Sequence, residues 1–281
     1  MPVMTPGPEQ AARSGAPSRP QRLVAVHQPN YLPWLGFFDK AAKADVLVLL
    51  DHVQFPRRSW TSRVRVRGTQ EAFWLSVPVR VKGRYDQTIG QTEIAYDEAW
   101  VERHLRTLRH CYGGSPHGDA VLEVLVPHYA ARPALLAELN AILIRSLLDV
   151  LQIRTPVVLG SELGTQGRAT HLLAALTQAA GGTGYLSGDG ADGYQESQAY
   201  AARGLDLVYQ RFAHPEYPQR GTPFVPGLSV VDALCCCGAE RTRELLAASR
   251  QRWLADCRAA AGALPESALA STACRSPDAR N

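Results

Sequence analysis

The chain is poor in the signatures that settle a function quickly. Across its 281 residues there is no C-x-x-C, no H-x-x-x-H, no G-x-S-x-G and no G-x-x-x-x-G-K-[ST]. Zinc hydrolase, α/β-hydrolase and P-loop readings therefore have no motif to stand on. Six cysteines are present, at 111, 235, 236, 237, 257 and 274. Successive helical residues point about 100° apart, so the adjacent three cannot all face one metal from a helix. Reduced, mostly buried thiols are expected instead.

Other absences bound the setting. No apolar run reaches the roughly 18 to 20 residues that cross a bilayer, and the first residues carry Pro, Gly and Ser where a signal peptide has an apolar segment. That points to no membrane span and to a cytoplasmic location. A net charge of +4 without a concentrated basic stripe argues against nucleic acid as partner. Residues 1–21 and 263–281 are rich in Pro, Gly, Ala and Ser without apolar periodicity, and are read as disordered tails around one domain, residues 22–262.

Within that domain the pattern is α/β. Val24 to Val26 reads as a buried strand, Trp34 to Lys43 as a helix with an apolar stripe, and "VLVLL" as a second strand, which together make a βαβ unit with parallel strands. Residues 61–79 read as an antiparallel hairpin, and 97–151 as helical. Strand and helix then alternate from "TPVVLG" to "LDLVYQRF". The expectation is an open, mostly parallel, Rossmann-like sheet flanked by helices, with an antiparallel hairpin and a helical insertion.

Ligands in such sheets bind at the carboxyl ends of the strands. Four polar loops follow the expected strands. The first, "HQPNYLP", sets His27, Gln28, Asn30 and Tyr31 between two prolines that fix the turn, with His27 able to exchange protons near neutral pH. Next, "DHVQFPRRSW" brings Asp51, for a metal or a ribose hydroxyl, with Gln54, Arg57, Arg58 and Trp60; the arginines suit phosphate or carboxylate, and a surface ion pair is the alternative. Arg63 opens "RVRVR", which reads either as a solvated face or as cations lining an anion site. In "SGDGADGY", Ser187 and Gly188 allow backbone amides to approach an anion, Tyr194 follows, and Asp189 would need a bridging cation; a plain tight loop fits as well. Last, His214 stands before Pro215, a second histidine that could act as acid or base.

The motifs "HQPNYLPWLG", "SWTSRVRV", "FWLSVPV", "HPEYPQ" and "FVPGLSVVDAL" resemble the WbqC-like protein family over about residues 23–240. The resemblance implies a role in bacterial polysaccharide, O-antigen or secondary-metabolite assembly. It carries over Trp34, Trp60 and Ser229 beside the loop residues above. A more distant likeness, to pantothenate synthetases and related nucleotidylyltransferases, implies ATP or another nucleotide-activated donor with Mg²⁺, although their H-x-G-H core is missing here. The expected function is thus a nucleotide-dependent transferase or ligase with catalytic His27, His214 and Asp51, acting on a small-molecule substrate. The rivals are a non-catalytic binder of an anionic sugar and a metal-dependent hydrolase using Asp51 and Asp189.

Overall fold

A computed structural model describes residues 22–68, 71–189 and 196–262, with side chains to residue 259. The two tails and the greater part of the glycine-rich loop, Tyr194 included, lie outside the described residues. The chain divides into residues 20–253, described below, and a unit whose described part is the end of the last helix, 254–262.

The elements run β1 (Leu23–His27), α1 (Leu35–Lys43), β2 (Val46–Leu49), β3 (Arg63–Arg67), β4 (Ala72–Ser76), α2 (Trp100–Tyr112), α3 (Gly118–Ala130), α4 (Leu136–Val150), β5 (Val157–Leu159), α5 (Ala169–Ala179), β6 (Gly184–Ser187), α6 (Ser197–Ala201), β7 (Asp206–Tyr209) and α7 (Val230–Gly262). Five strands form one sheet in the order β5-β2-β1-β6-β7, and every pairing in it is parallel. The antiparallel pair β3–β4 stands apart. The α/β reading, with its βαβ opening and its hairpin, is what the chain adopts.

Continuous apolar runs explain why β1 and β2 sit inside the sheet. Val24, Val26, Val46, Val48 and Tyr185 share a face with Leu172, Leu176 and Tyr200 from the helices packed there. The intervening Leu23, Ala25, Leu47 and Leu49 are also at most 1% exposed, so these strands are covered on both faces, as parallel strands require. β-branched and aliphatic side chains in such a run favour extended backbone and gain about 25 cal/mol per Å² of apolar area removed from water.

Two departures from the sequence reading have physical reasons. Residues 97–151 hold three helices, because Gly113 closes α2, and α3 starts within a few residues at Gly118. The last helix, α7, was not foreseen. It is interrupted at Gly238 (φ 78°, ψ 169°), where a Cβ would stand 2.9 Å from Nε2 of His117, so only glycine fits both the backbone and the space.

Helix α1 is buried nearly all round, polar residues included. Lys43 Nζ donates to Asp39 Oδ2 (2.7 Å), to the Gln210 carbonyl (3.0 Å) and to Ser249 Oγ (3.3 Å). The Gln210 amide in turn donates to the Gly36 carbonyl (2.7 Å) and to Asp39 (2.8 Å). Buried charges survive only when paired and hydrogen-bonded, and this set fastens α1 to the end of β7 and to α7.

Candidate functional site

Strand order reverses between β1 and β6, since the chain runs outward through β2 and β5 on one side and through β7 on the other. A crevice at the carboxyl ends of β1 and β6 follows from that topology. His27 ends β1 and Ser187 ends β6.

His27 is half-buried. Its Nδ1–H donates to the Gln28 carbonyl at 2.9 Å, which fixes the tautomer and leaves Nε2 as a lone-pair acceptor. Its ring stands edge-on to Phe37, 4.9 Å between centroids. Burial first, and then the charge of Lys40, lower its pKa to about 4, so the ring is neutral at pH 7. Lys40 itself is 4% exposed, donates to the Val26 carbonyl at 3.0 Å and lies 5.7 Å from the Tyr185 ring centroid. Burial lowers its pKa to about 8, against the pull of Asp189.

The loop from Gln28 to Trp34 is held from two sides. Asn140, 0% exposed, donates through Nδ2 to the carbonyls of Pro29 (2.8 Å) and Thr61 (2.7 Å). Ser229 Oγ donates to the Leu32 carbonyl (2.8 Å), and the Val230 N–H to that of Pro33 (2.8 Å). Those clamps hold Leu32 at φ 41°, a left-handed conformation that costs a non-glycine residue about 1–2 kcal/mol. Gly36 leaves room for Trp34, because a Cβ there would stand 2.3 Å from the indole.

His214, in the loop after β7, repeats the arrangement of His27. Its Nδ1–H donates to the Pro215 carbonyl at 3.0 Å, burial lowers its pKa, and its Nε2 is buried without a partner. Trp34 stacks on it at 6.1 Å and 20°, and Phe212 and Phe224 meet it edge-on. The loops after β1 and β7 therefore touch. Asp189 joins the β6 loop to them, accepting the N–H groups of Arg211 (2.6 Å) and Phe212 (2.7 Å). Ser187 is 0% exposed and donates to the Gly188 carbonyl at 3.3 Å.

The loop after β2 divides. Asp51 turns toward β5, where its carboxylate accepts the Ser161 N–H (2.9 Å) and Oγ–H (2.6 Å). Gln54 donates to the Tyr85 carbonyl at 3.0 Å, while Arg57 donates to that of Val81 (3.3 Å) and lies 5.1 Å from the Tyr85 ring centroid. Arg58 is exposed at φ 53°. Trp60 borders the histidine loop, its carbonyl accepting the Tyr31 N–H at 2.9 Å. On the hairpin, Arg63 stacks 4.1 Å over Trp74. The "RVRVR" face is not simply solvated: Arg67 is 2% exposed and donates to the Arg220 and Pro223 carbonyls at 2.8 and 3.1 Å.

Two residues from the first loop lie inward. Asn30 is 6% exposed and Tyr31 0%. The His104 Nε2–H donates to the Ser76 carbonyl (3.0 Å), so its Nδ1 accepts the Tyr31 hydroxyl (3.0 Å), and Tyr129 completes the chain. Tyr31 is thus a core side chain beneath the loop. Lys40, Asn140 and Trp74 are the residues the sequence did not single out. Lys40 adjoins the apolar stripe of α1, and Trp74 lies within the "FWLSVPV" motif.

The described residues do not build a metal site. Asp51 and Asp189 each spend both carboxylate oxygens on N–H or O–H donors, and among the described residues no group of three His, Cys, Asp or Glu side chains could hold a metal ion. Cys111 and Cys235 are buried free thiols, and Cys236 and Cys237 half-buried ones. A hollow of about 530 Å³ beside the hairpin turn, lined by Phe73, Arg106 and His110 among others, lies on α2 and not at the strand ends. Volume and chemistry disagree on where a ligand binds, and the chemistry, with its two fixed histidines, is the stronger guide.

The model of the WbqC-like protein family matches residues 28–244. The chain is also similar to an uncharacterized protein, Rv1507c, of Mycobacterium tuberculosis (strain ATCC 25618 / H37Rv), with 32% identity over 221 residues that cover 78% of this chain and 95% of that one. No solved structure matches. Among the described residues no helix is long and apolar enough to cross a membrane.

Proposed function

The chain belongs to the WbqC-like protein family, and from that premise we propose that it is a group-transfer enzyme. It moves an acyl, aminoacyl or nucleotidyl group from a nucleotide-activated or other phosphorylated donor to a small-molecule acceptor, in the cytoplasm and in glycan or secondary-metabolite assembly. One observation carries the reading: His27 and His214 share a fixed tautomer, Nδ1–H on the next carbonyl, and burial keeps both neutral with Nε2 as a base.

In this reading the His27 Nε2 accepts the proton of the acceptor's O–H or N–H as that atom bonds to the transferred group. The bond to the leaving phosphate breaks, and its electron pair stays on the phosphate oxygen. Arg63 and Arg65 offset that charge, as preset cations do at low dielectric. A positioned general base contributes about 10²- to 10⁴-fold, and a pKa of about 4 sets His27 toward the lower end of that range. Mg²⁺ enters only as a companion of the donor's phosphates, because Asp51 and Asp189 are engaged by N–H and O–H donors.

Thermal-shift screening against ATP, nucleotide sugars and acyl donors, each with and without Mg²⁺, followed by mass analysis of products, tests the proposal. Wild-type protein should convert at least one donor, and His27→Ala should lose about 10²-fold or more of turnover with its melting transition retained. Ligand binding without product would overturn the transfer reading in favour of a binding protein.

A further inference from the structure

Two indole rings stand at the solvent boundary next to the histidine loop. Trp60 is 39% exposed and Trp74 41%, and they meet edge to face, 5.0 Å between centroids at 61°. Uncovered tryptophan in contact with uncovered tryptophan forgoes burial that large aromatics usually find. Behind them stand cations without anions. The Arg63 guanidinium lies 4.1 Å over Trp74, and its Nε is buried without a hydrogen-bond partner. Arg65 sits directly across the hairpin from Trp74, on the face that also carries Arg63. Neither arginine is ion-paired among the described residues.

This corner is joined to the candidate site through the backbone. The Trp60 carbonyl accepts the Tyr31 N–H (2.9 Å), and the Arg65 carbonyl accepts the Ser229 N–H (2.9 Å), while Ser229 holds Leu32. A ring can lie flat on one indole with its edge against the other, and a guanidinium has forked N–H donors suited to phosphate. We propose that Trp60 and Trp74 form a stacking corner for the ring of a phosphorylated compound, with Arg63 and Arg65 receiving its phosphate. This rests on the group-transfer reading and names the binding end of the donor. The shared chemistry, a ring bearing phosphate, has two sources: the nucleobase end of a nucleoside diphosphate, or a sugar 1-phosphate.

Isothermal titration of the full-length chain with ADP, UDP, glucose 1-phosphate, adenosine, glucose and pyrophosphate tests it. Tighter binding of ADP or UDP identifies the nucleobase, and tighter binding of glucose 1-phosphate the sugar ring; either supports the corner. Trp74→Ala and Trp60→Ala should each weaken the preferred probe about ten- to a hundredfold, with unchanged circular dichroism. If ADP is preferred, Arg63→Met should weaken it while leaving adenosine unchanged; if glucose 1-phosphate, the same change should weaken it toward free glucose. Equal affinity for pyrophosphate and the ring-bearing probes, unaltered affinity in both tryptophan variants, or no probe bound would each overturn the corner, as would self-association that Trp74→Ala abolishes. The two readings fail separately. Tryptophan variants that turn over like wild type while His27→Ala does not would remove the corner and leave group transfer. Probe binding lost in the tryptophan variants, with no product from wild type, would do the reverse.

Discussion

Replacing Asn140 with alanine should unfold the protein at markedly lower denaturant, although the residue touches no ligand in any reading given above. Its Nδ2 serves two carbonyls, those of Pro29 at 2.8 Å and Thr61 at 2.7 Å, and no water reaches it, since the residue is 0% exposed. Each buried acceptor left without a donor costs about 1–3 kcal/mol. The two together, allowing for partial relaxation, put the loss at about 2–4 kcal/mol, or roughly 5–15 °C in Tm for a chain of this size. Urea unfolding followed by far-ultraviolet circular dichroism measures it as a shift in midpoint at constant slope. Glu138→Gln, exposed two residues earlier on α4, is the control and should stay within about 0.5 kcal/mol of wild type. An Asn140→Ala loss under about 0.5 kcal/mol would refute the claim that this one amide holds the Pro29 and Thr61 carbonyls.

Three further outcomes are expected. Lys40→Met removes a charge that helps keep His27 neutral, so the pKa of His27 should rise from about 4 and the acid limb of activity should move to higher pH; a limb that stays in place would refute the coupling. His27 and His104 both have pKa values near 4 in the folded protein, against about 6.5 unfolded. Between those values the unfolded chain binds more protons, so stability should fall on acidification, by about 2 kcal/mol per histidine from pH 7 to pH 5; urea midpoints that do not fall over that interval would contradict it. Gly238→Ala should destabilise by more than the ~1 kcal/mol usual for a positive-φ glycine, because the new Cβ meets His117 at 2.9 Å; a melting temperature equal to wild type would count against the contact.

Much of the fold was legible because it depends on local periodicity. The βαβ opening, the hairpin and the parallel order follow from runs such as "VLVLL" and from the spacing of turns, and the structure has them. Side-chain direction was less legible. Tyr31 looks like a ligand residue in a polar loop, yet its hydroxyl finds His104 and Tyr129, partners about 70 and 100 positions away whose proximity no local pattern encodes. The polar positions Asp39, Lys40 and Lys43 of α1 read as the wet side of an amphipathic helix. They are buried because Gln210 and Ser249 hydrogen-bond to Asp39 and Lys43, and the Val26 carbonyl accepts from Lys40. Asp51 and Asp189 read as metal or ribose ligands, and the donors that occupy their oxygens belong to residues 161, 211 and 212, again invisible at short range.

The loop that presents His27 takes its shape from Asn140 on one side and Ser229 and Val230 on the other, in addition to Trp60. During synthesis the first two strands and α1 leave the ribosome early, but the final clamp is more than two hundred residues from the histidine it steadies. Closing so long a stretch of chain is slow and comes late. The nascent protein therefore carries "HQPNYLPWLG" through most of its translation before β6, β7 and that clamp exist, and a chain truncated before residue 229 would keep the motif while losing the conformation that gives it a use.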